Sequence, residues 1–435
     1  MGKRRPVPLT DEEKTDYIKK AVLAKKRESK PYLDSLDRVN NKFSLLDLTY
    51  KNYRHVNRYD HEYYNLDAIL PSIRFNTVQG FNLNYGASFS KQIDSTTNKY
   101  WAVGAKAGYG FSNHKLTGNI YAGVPAGSYN LAINAGSEIV DLNNRTPISP
   151  LINSFYSLFE RENYEKLYQK QYASFSASRR ITGGWMAYGY VEWADRKSLS
   201  NTSNYSFFNP SNREYTSNNP YFPAFDAPLF EDNQSFKVAV RTSYDFSDRY
   251  ETYPTGRRYL PSKYPTVSLT YTKGIKDALG SDVDYDLLTA DISKSNIDAG
   301  VLGQTSFFVG AGKFLNNKSL FYPDFKQFSG NQILFSGTGI NSFLLLNYYT
   351  YSTYTKYIEG HLEQNFSGFL LNKIPLIRKL KLQEIVDVNY LYTPNLKNYT
   401  ELGFGVQYLG FRLMYGKSFN SGSNTNSAIR IGVNF

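Results

Sequence analysis

The sequence predicts an all-β fold: a transmembrane antiparallel β-barrel of about 16 strands, preceded by a short helical N-terminal segment. Three observations predict it. From residue 79 onward, apolar residues alternate with small or polar residues in segments of about ten. Aromatic residues stand at the ends of many segments, as expected for rings that settle at the depth of lipid headgroups. The chain also finishes on an alternating segment whose last residue is Phe435.

The composition of the 435-residue chain excludes several other classes of protein. Without cysteine, the chain has no disulfide scaffold, no cysteine metal site and no cysteine nucleophile. Its mean hydropathy is −0.49, and no apolar run approaches the roughly 18 residues of a membrane-spanning helix. Disorder is disfavoured, because 41% of the residues are hydrophobic and 16% are aromatic, which is enough to bury a large surface.

The beginning of the chain differs in texture from the rest. Thr10 and Glu13 have the spacing of a helix capping box, and a charged helix is predicted to follow over 14–29. Pro31 ends that helix, and a second short helix is predicted after it. The basic run at 25–27 is interpreted as a solvated helix face, so no nucleic-acid partner is expected.

Two domains follow from this change in texture. Residues 1–62 are predicted to be a helical, charged lead-in segment in the periplasm, and residues 63–435 an outer-membrane β-barrel. The basic residues at 3–5 are not followed by the apolar stretch of a signal peptide. Either a signal peptide has been removed or, as we expect, the chain is the C-terminal part of a longer product.

The strands are justified by what fills their two faces. In the first segment, Phe81 and Leu83 lie on one face, while Asn82 and Asn84 lie on the other. Polar and small residues on the second face, segment after segment, suit a wet lumen better than a soluble sandwich. The predicted segments are 79–91, 103–111, 116–124, 129–135, 170–181, 184–196, 234–246, 264–275, 285–296, 301–313, 343–352, 355–366, 381–392, 401–409, 410–418 and 427–435.

Four connections between the segments are too long to be turns. They are 138–169, 197–233, 314–342 and 367–380. Long loops are expected outside the cell and short turns in the periplasm. If the first strand starts at Gln79 and runs outward, strand parity puts several long loops inside, and one missed strand, for example at 43–53, would reverse this. The orientation therefore stays open.

The last nine residues carry the most specific signal. Ile429, Ile431, Val433 and Phe435 lie on one face of the final segment, and polar or small residues lie on the other. This pattern resembles the terminal signal read by the barrel-assembly machinery of Gram-negative outer membranes. We therefore expect that machinery and the outer-membrane lipid, including lipopolysaccharide, to be partners, and we expect no cofactor.

The segment 366–384 combines apolar residues with clustered bases. Such a combination suits the interface of a membrane with acidic headgroups. The candidate headgroup contacts are Lys373, Arg378, Lys379 and Lys381.

No catalytic, cofactor-binding or metal site is predicted. The four histidines, at 55, 61, 114 and 361, lack metal-ligand spacing, and His55 and His61 are interpreted as solvated loop residues. Alternating acids at 282, 284 and 286 are interpreted as a charged turn rather than a calcium site. A hydrolase that uses His114 or His361 is the least favoured alternative.

Several motifs carry a resemblance to a known family. They are RPVPLT (5–10), PSIRFNTVQG (71–80), PISPLIN (147–153), GFLLNKIPL (368–376) and ELGFG (401–405). Together they are similar to a Bacteroidetes-type family of carboxypeptidase-regulatory-like-domain outer-membrane proteins with a C-terminal barrel of unknown function. The resemblance covers nearly the whole chain, as the C-terminal half of a family member.

The residues before the first predicted segment, FNTVQG (75–80), carry a more distant resemblance. With the last three strands, they look like the Omp85-type transporters that insert or export polypeptides, although the lumen motif of that superfamily is not evident. The leading hypothesis is a non-catalytic outer-membrane barrel in transport, export or envelope assembly, with an envelope protein as partner or cargo. The alternative is a surface binding or structural barrel whose loops bind a ligand or partner.

Overall fold

A helical N-terminal segment leads into one large antiparallel sheet in the computed structural model. The described residues are 10–94, 99–143, 146, 148–210, 212–246, 250–253, 256–260, 262–336, 339–421 and 423–433. The helices are α1 (Asp11–Arg27), α2 (Lys30–Asn40), α3 (Leu45–Tyr50), α4 (Ile69–Ser72) and α5 (Pro150–Phe155), with a π-helical turn at Tyr156–Glu160. Short 3-10 turns lie at Ala278–Gly280, Gly300–Leu302, Tyr322–Asp324, Leu371–Lys373 and Ile377–Leu380.

Helix α1 begins where the sequence predicts it. The side chain of Thr10 accepts a hydrogen bond from Glu13 N at 3.2 Å, and the Glu13 carboxylate accepts one from Thr10 N at 3.0 Å. This reciprocal capping box satisfies two amides that have no partner inside the helix. The predicted capping box is confirmed, whereas the predicted domain boundary between residues 62 and 63 stays a prediction.

The strands form one main sheet of nineteen and a separate pair, β11 with β12. They are β1 (Tyr53–Asn57), β2 (Glu62–Leu66), β3 (Ile73–Asn76), β4 (Gly80–Asp94), β5 (Lys99–Gly110), β6 (Leu116–Ala126), β7 (Tyr129–Asp141), β8 (Leu167–Thr182), β9 (Trp185–Ser198), β10 (Asn233–Tyr244), β11 (Tyr250–Tyr253), β12 (Gly256–Tyr259), β13 (Thr266–Gly274), β14 (Asp284–Asp298), β15 (Gln304–Ser319), β16 (Phe335–Ser336), β17 (Lys356–Asn365), β18 (Gln383–Thr393), β19 (Lys397–Tyr408), β20 (Phe411–Asn420) and β21 (Ser423–Val433).

The wall of the barrel has sixteen strands. Strands β2 and β3 both pair with β4, so they form one wall strand that α4 interrupts. Thirteen antiparallel pairings then connect neighbouring strands from β4 to β10, through β13–β15, to β17–β20, and a fourteenth reaches β21. The predicted barrel of about 16 strands with a helical N-terminal segment is confirmed.

Two of the sequence-based strand assignments need correction. The predicted strand 343–352 is not a strand but part of a segment inside the barrel, where Phe343 is 1% exposed. A short continuous apolar run does not distinguish a strand from a buried coil. The first wall strand was missing from the prediction, because β2 and β3 are too short for alternation to be visible and Pro71 lies between them.

Counting the wall strand formed by β2 and β3 shows at which end of the barrel each connection lies. Because neighbouring strands alternate in direction, three long connections lie at the same end as the β3–β4 turn. These connections are 142–166, 199–232 and 320–355. The chain enters and leaves at the opposite end, which also carries the connection 366–382 and the connection 245–265 with its β11–β12 pair. Hereafter these are the loop end and the terminal end.

The two faces of the wall differ in polarity. Inward-facing side chains such as Asn82 and Ser268 are only 1–2% exposed. The outward face carries large exposed apolar side chains, among them Val103, Ile120, Ile133, Val240, Leu269, Val309, Leu362, Leu402, Phe404 and Leu413. None of the helices in the described ranges has the length and apolar character needed to cross a bilayer.

Candidate functional site

The connection 320–355, hereafter the lumen segment, folds into the barrel. Its apolar run packs against inward-facing residues of β17–β20. Gly403 allows the close approach, because a Cβ atom there would lie 2.5 Å from Leu344 Cδ1. The packed residues are Phe343, Leu344, Leu345 and Leu346 of the lumen segment, with Tyr357, Ile385, Leu391, Tyr399 and Met414 of the wall.

A buried ion pair anchors the start of the lumen segment. Arg196 on β9 donates to both carboxylate oxygens of Asp324, at 2.7 and 2.8 Å, and to Asn233 Oδ1 at 2.8 Å. The two charged side chains are 1% and 0% exposed. A bidentate pair of this kind holds its partners in one geometry, and neither charge can be removed alone without leaving the other unpaired.

A second contact follows directly along the lumen segment. Lys326 Nζ lies 3.3 Å from a carboxylate oxygen of Glu359, whose other oxygen is 3.4 Å from His361 Nε2. His361 Nδ1 is 2.8 Å from Asn389 Oδ1, and the His361 ring lies edge-on to Phe343 at 4.6 Å. His361 therefore belongs to the packing between wall and lumen segment.

The carboxylate of Glu401 on β19 binds backbone amides of the apolar run 343–346. It accepts hydrogen bonds from Leu344 N at 2.7 Å and Leu345 N at 2.8 Å, and from the Tyr399 hydroxyl at 2.7 Å. Arg430 Nε on β21 donates to Leu344 O at 2.9 Å. Two wall strands thus satisfy backbone groups that the lumen segment would otherwise bury without partners.

A polar cluster joins the three long connections at the loop end. The Tyr349 hydroxyl donates to Asp141 at 2.9 Å and accepts from Lys166 N at 3.0 Å, while Lys166 Nζ donates to Thr216 Oγ1 at 2.7 Å. Burial lowers the pKa of Lys166 to about 7. Burial, with the nearby Asp141 carboxylate, raises the pKa of Glu165 to about 8. Burial thus favours the neutral forms of these two side chains where the loops cover the lumen.

The first and last wall strands meet at a seam, defined as the gap between β1–β3 and β21. Within the described residues, β21 pairs with β20 and with β16 but not with β1, β2 or β3. The pairing with β16 is parallel and joins Phe335 to Ile431 and Ser336 to Gly432. In the part of the chain that the structure describes, contacts other than a ladder between the first and last strands therefore bridge the seam.

Single side chains satisfy the free edges on the β1–β3 side. Ser154 Oγ of α5 lies 2.8 Å from Phe75 N and 3.0 Å from Phe75 O. Asn41, which follows α2, donates to Val56 O at 2.7 Å and accepts from Val56 N at 2.9 Å. In both places a side chain at a helix end makes the backbone hydrogen bonds that a neighbouring strand would otherwise make. These bonds protect an exposed strand edge.

One tyrosine joins these helices to the other side of the seam. The Tyr156 hydroxyl, in the π-helical turn after α5, accepts a hydrogen bond from Leu334 N at 3.1 Å. Leu334 O in turn accepts from Ile431 N at 2.8 Å. We call α5, the π-helical turn and residues 334–336 the seam wedge, because they connect β3 to β21 across the seam.

Replacement of Ser154 by alanine is expected to loosen β3. Phe75 is 1% exposed, so its amide would lose its partner without gaining water, at a cost of about 1–3 kcal/mol. Hydrogen–deuterium exchange in detergent should become faster at residues 73–76 and remain unchanged in β13. Ser157→Ala is the matched control, because Ser157 is also buried but donates to Glu162 O. Equal exchange at 73–76 in the two variants would contradict the role of Ser154.

The structure places the predicted terminal signal on β21. Ile429 is 53% exposed on the outward face, and Arg430 between it and Ile431 is buried. Phe435 and the side chain of Val433 lie outside the described residues. Recognition of this strand by an assembly machinery stays a prediction.

The predicted headgroup contacts lie on the connection 366–382 at the terminal end. All four basic residues are exposed, and Leu376 beside them is 80% exposed. Lys373 Nζ lies 4.2 Å from the centre of the Phe369 ring. These residues are Lys373, Arg378, Lys379 and Lys381.

No described residue set has the arrangement of a hydrolytic or metal site. His114 lies in a turn with φ 52° and is 3.3 Å from the Tyr109 hydroxyl, whereas His361 is buried against the lumen segment. The described ranges contain no group of three acids or histidines that could hold a metal ion. Sequence reasoning missed Asp324, Glu401 and Ser154, because each acts on a residue more than 50 positions away.

Comparison with known proteins gives one family match and several barrels. The family model described as "Family of unknown function (DUF5686) C-terminal domain" matches residues 46–406. BamA from Haemophilus ducreyi lacking POTRA domains 1–3 is 12% identical, with a TM-score of 0.45, over 92% of this chain and 77% of that chain.

Two further solved structures are similar in the same way. CdiB from Acinetobacter baumannii is 12% identical with a TM-score of 0.38, over 82% of this chain and 58% of that chain. A Rhodopseudomonas blastica porin mutant is 8% identical with a TM-score of 0.33, over 82% of this chain and 95% of that chain. No curated protein matches the chain.

Proposed function

We propose that this chain, which belongs to the DUF5686 C-terminal domain family of unknown function, is a non-catalytic barrel of the Gram-negative outer membrane that exports or assembles envelope components. The seam carries the proposal. A wall strand such as β20 pairs with β21 over ten residue positions, whereas β16 pairs with β21 over two. Separating β21 from β16 therefore breaks fewer backbone hydrogen bonds than separating β21 from β20, so it costs less free energy.

The outer face supports the membrane location. A soluble protein rarely exposes large contiguous apolar patches, whereas the outward side chains of this wall are apolar in strand after strand. Paired strands satisfy their own backbone groups, which is the condition for lying in lipid. With the three long connections of the loop end outside the cell, the termini lie in the periplasm, as is usual for such barrels.

The free edge of β21 supports a role in handling polypeptide. An edge strand presents unpaired amides and carbonyls to which an extended segment of another chain can add. The lumen segment places β16 on that edge, so a client strand would have to displace β16. An envelope protein is accordingly the proposed cargo or partner.

A disulfide between β16 and β21 tests this proposal. The chain has no cysteine, and Phe335 and Ile431 are register partners, so Phe335→Cys/Ile431→Cys places one thiol pair across the joint. In cells that depend on the full-length protein, oxidation should abolish growth in the presence of a large antibiotic that an intact envelope excludes. Reduction should restore that growth.

Val388→Cys/Leu402→Cys is the control for the disulfide. These residues are register partners on β18 and β19, which are already joined by a ladder, so oxidation there should change nothing. If growth is unaltered while the β16–β21 disulfide is formed, the proposal that function requires separation of β16 from β21 is refuted.

A second candidate function, a surface binding or structural barrel, is favoured by the filled lumen. The lumen segment and the polar cluster at Asp141, Lys166 and Tyr349 close the loop end. Planar-bilayer recording distinguishes a conducting barrel from a closed one. A silent wild-type barrel whose oxidised β16–β21 disulfide leaves the envelope intact would favour this second function.

We also propose that the exposed connection 366–382, at the terminal end, contacts lipid headgroups. Its four basic residues lie beside exposed apolar side chains, including Leu370 at 57% and Leu380 at 55% exposure. This combination supports contact with acidic headgroups, by attraction of the charges and partial insertion of the apolar residues.

A further inference from the structure

A chamber of about 550 Å³ lies between the lumen segment and the wall formed by β9, β10, β13, β14 and β15. Its volume is in the usual range of roughly 300–1,000 Å³ for small-molecule sites. An adjoining space of about 520 Å³ shares Tyr190 and Gln327 with it and contains Glu192 between Lys170 and Lys237. The chamber takes no part in the seam, so what it binds is independent of the function proposed above.

The charged groups of the chamber are present as pairs. Arg241 lies 3.7 Å from Asp291, and Lys326 lies 3.3 Å from Glu359. The lining thus offers both hydrogen-bond donors and acceptors without a net charge. Hydroxyl groups both donate and accept, so this lining suits a neutral polyhydroxylated ligand better than an anion.

Two tyrosines place aromatic rings on one side of the chamber. The rings of Tyr188 and Tyr190 are nearly parallel, with centres 6.5 Å apart and planes inclined by 13°. Tyr188 is 39% exposed, so its ring is available to a ligand. The apolar faces of sugar rings pack on aromatic surfaces of this kind, while their hydroxyl groups remain free for hydrogen bonds.

A buried side-chain donor lies where the chamber meets the adjoining space. Gln327 is 7% exposed and lines both spaces, and the Tyr322 hydroxyl lies near its side-chain amide. Its Nε2 makes no hydrogen bond of full geometry within the described residues, so it is free to donate to a group that enters the chamber. Glu359 beside it is 4% exposed, whereas Arg241 is 48% exposed at its side chain. The chamber therefore opens on the Arg241 side and ends at the lumen segment.

We propose that this chamber binds a neutral mono- or disaccharide. One sugar ring stacks on the exposed ring of Tyr188, and a hydroxyl oxygen accepts a hydrogen bond from Gln327 Nε2. The two ion pairs bind further hydroxyl groups, with the acids accepting and the bases donating.

Calorimetric titration of the purified full chain tests this proposal. The protein is held in a zwitterionic detergent that carries no sugar, and the probes are maltose and cellobiose, up to about 10 mM because neutral sugars bind weakly. We expect saturable binding of at least one probe. Tyr188→Ala and Gln327→Met should each lower its affinity by about tenfold, because each removes one of the proposed contacts.

Tyr415→Ala is the matched control. Tyr415 has the same 39% exposure as Tyr188 but lies on the outward face of β20, so its replacement should leave the affinity unchanged. Heat-modifiable migration in a gel confirms that each variant is folded. Absence of saturable binding of both probes overturns the proposal, as does binding that neither lumen variant weakens. Tighter binding of glucose 6-phosphate than of the disaccharides also overturns it, because it would indicate an anion site.

Discussion

Replacing Asp324 by alanine is expected to destabilise the folded barrel by about 3–5 kcal/mol and to release the lumen segment. Arg196 would remain buried at 1% exposure with its charge uncompensated, and Asn233 would be its remaining side-chain hydrogen-bond partner among the described residues. The free energy of unfolding can be measured by urea titration in lipid vesicles. Limited proteolysis of the native variant should show new cleavage within residues 320–355.

Removal of both charges is the control for this prediction. In Arg196→Met/Asp324→Leu the buried charge is gone, so the loss should be clearly smaller than in Asp324→Ala. A double variant as unstable as the single variant would mean that the shape of the two side chains, and not the pairing of their charges, holds the lumen segment.

Replacing Glu401 by alanine is expected to open the lumen. The change removes the acceptor of Leu344 N, Leu345 N and the Tyr399 hydroxyl in a position that is 0% exposed. Buried donors without partners cost about 1–3 kcal/mol each, so the apolar run should leave the wall. Planar-bilayer recording should then show a steady conductance larger than that of the wild type, with faster amide exchange at Leu344 and Leu345.

Two further variants show whether this effect depends on the lumen segment. Glu401→Gln keeps one acceptor oxygen and should give an intermediate conductance. Glu363→Ala removes another inward-facing carboxylate of the same wall, but one that binds Arg412 at 2.6 and 3.0 Å, so conductance should stay at the wild-type level. Equal conductance in Glu401→Ala and Glu363→Ala would contradict the role given to Glu401.

Most of the wall could be predicted from the sequence because alternation is a local property. In β19, Leu402 and Phe404 face outward while Glu401 and Gly403 face inward, and this pattern is visible within four residues. The first wall strand could not be predicted, because α4 divides it into pieces of five and four residues, which are too short for alternation to be visible. Without it, the parity of the strands and the position of the long connections could not be derived.

The sequence by itself determined the barrel, its polar lumen and the capping box of α1, since each depends on residues a few positions apart. Only the tertiary structure decided the contents of the lumen and the closure of the seam. Arg196 and Asp324 are separated by 128 positions, and Phe75 and Ser154 by 79. The path of the chain through space determines such contacts, and the periodicity of the sequence carries no information about it. Nor does periodicity show where an apolar run such as 343–346 lies, because such a run suits a strand and a buried coil equally well.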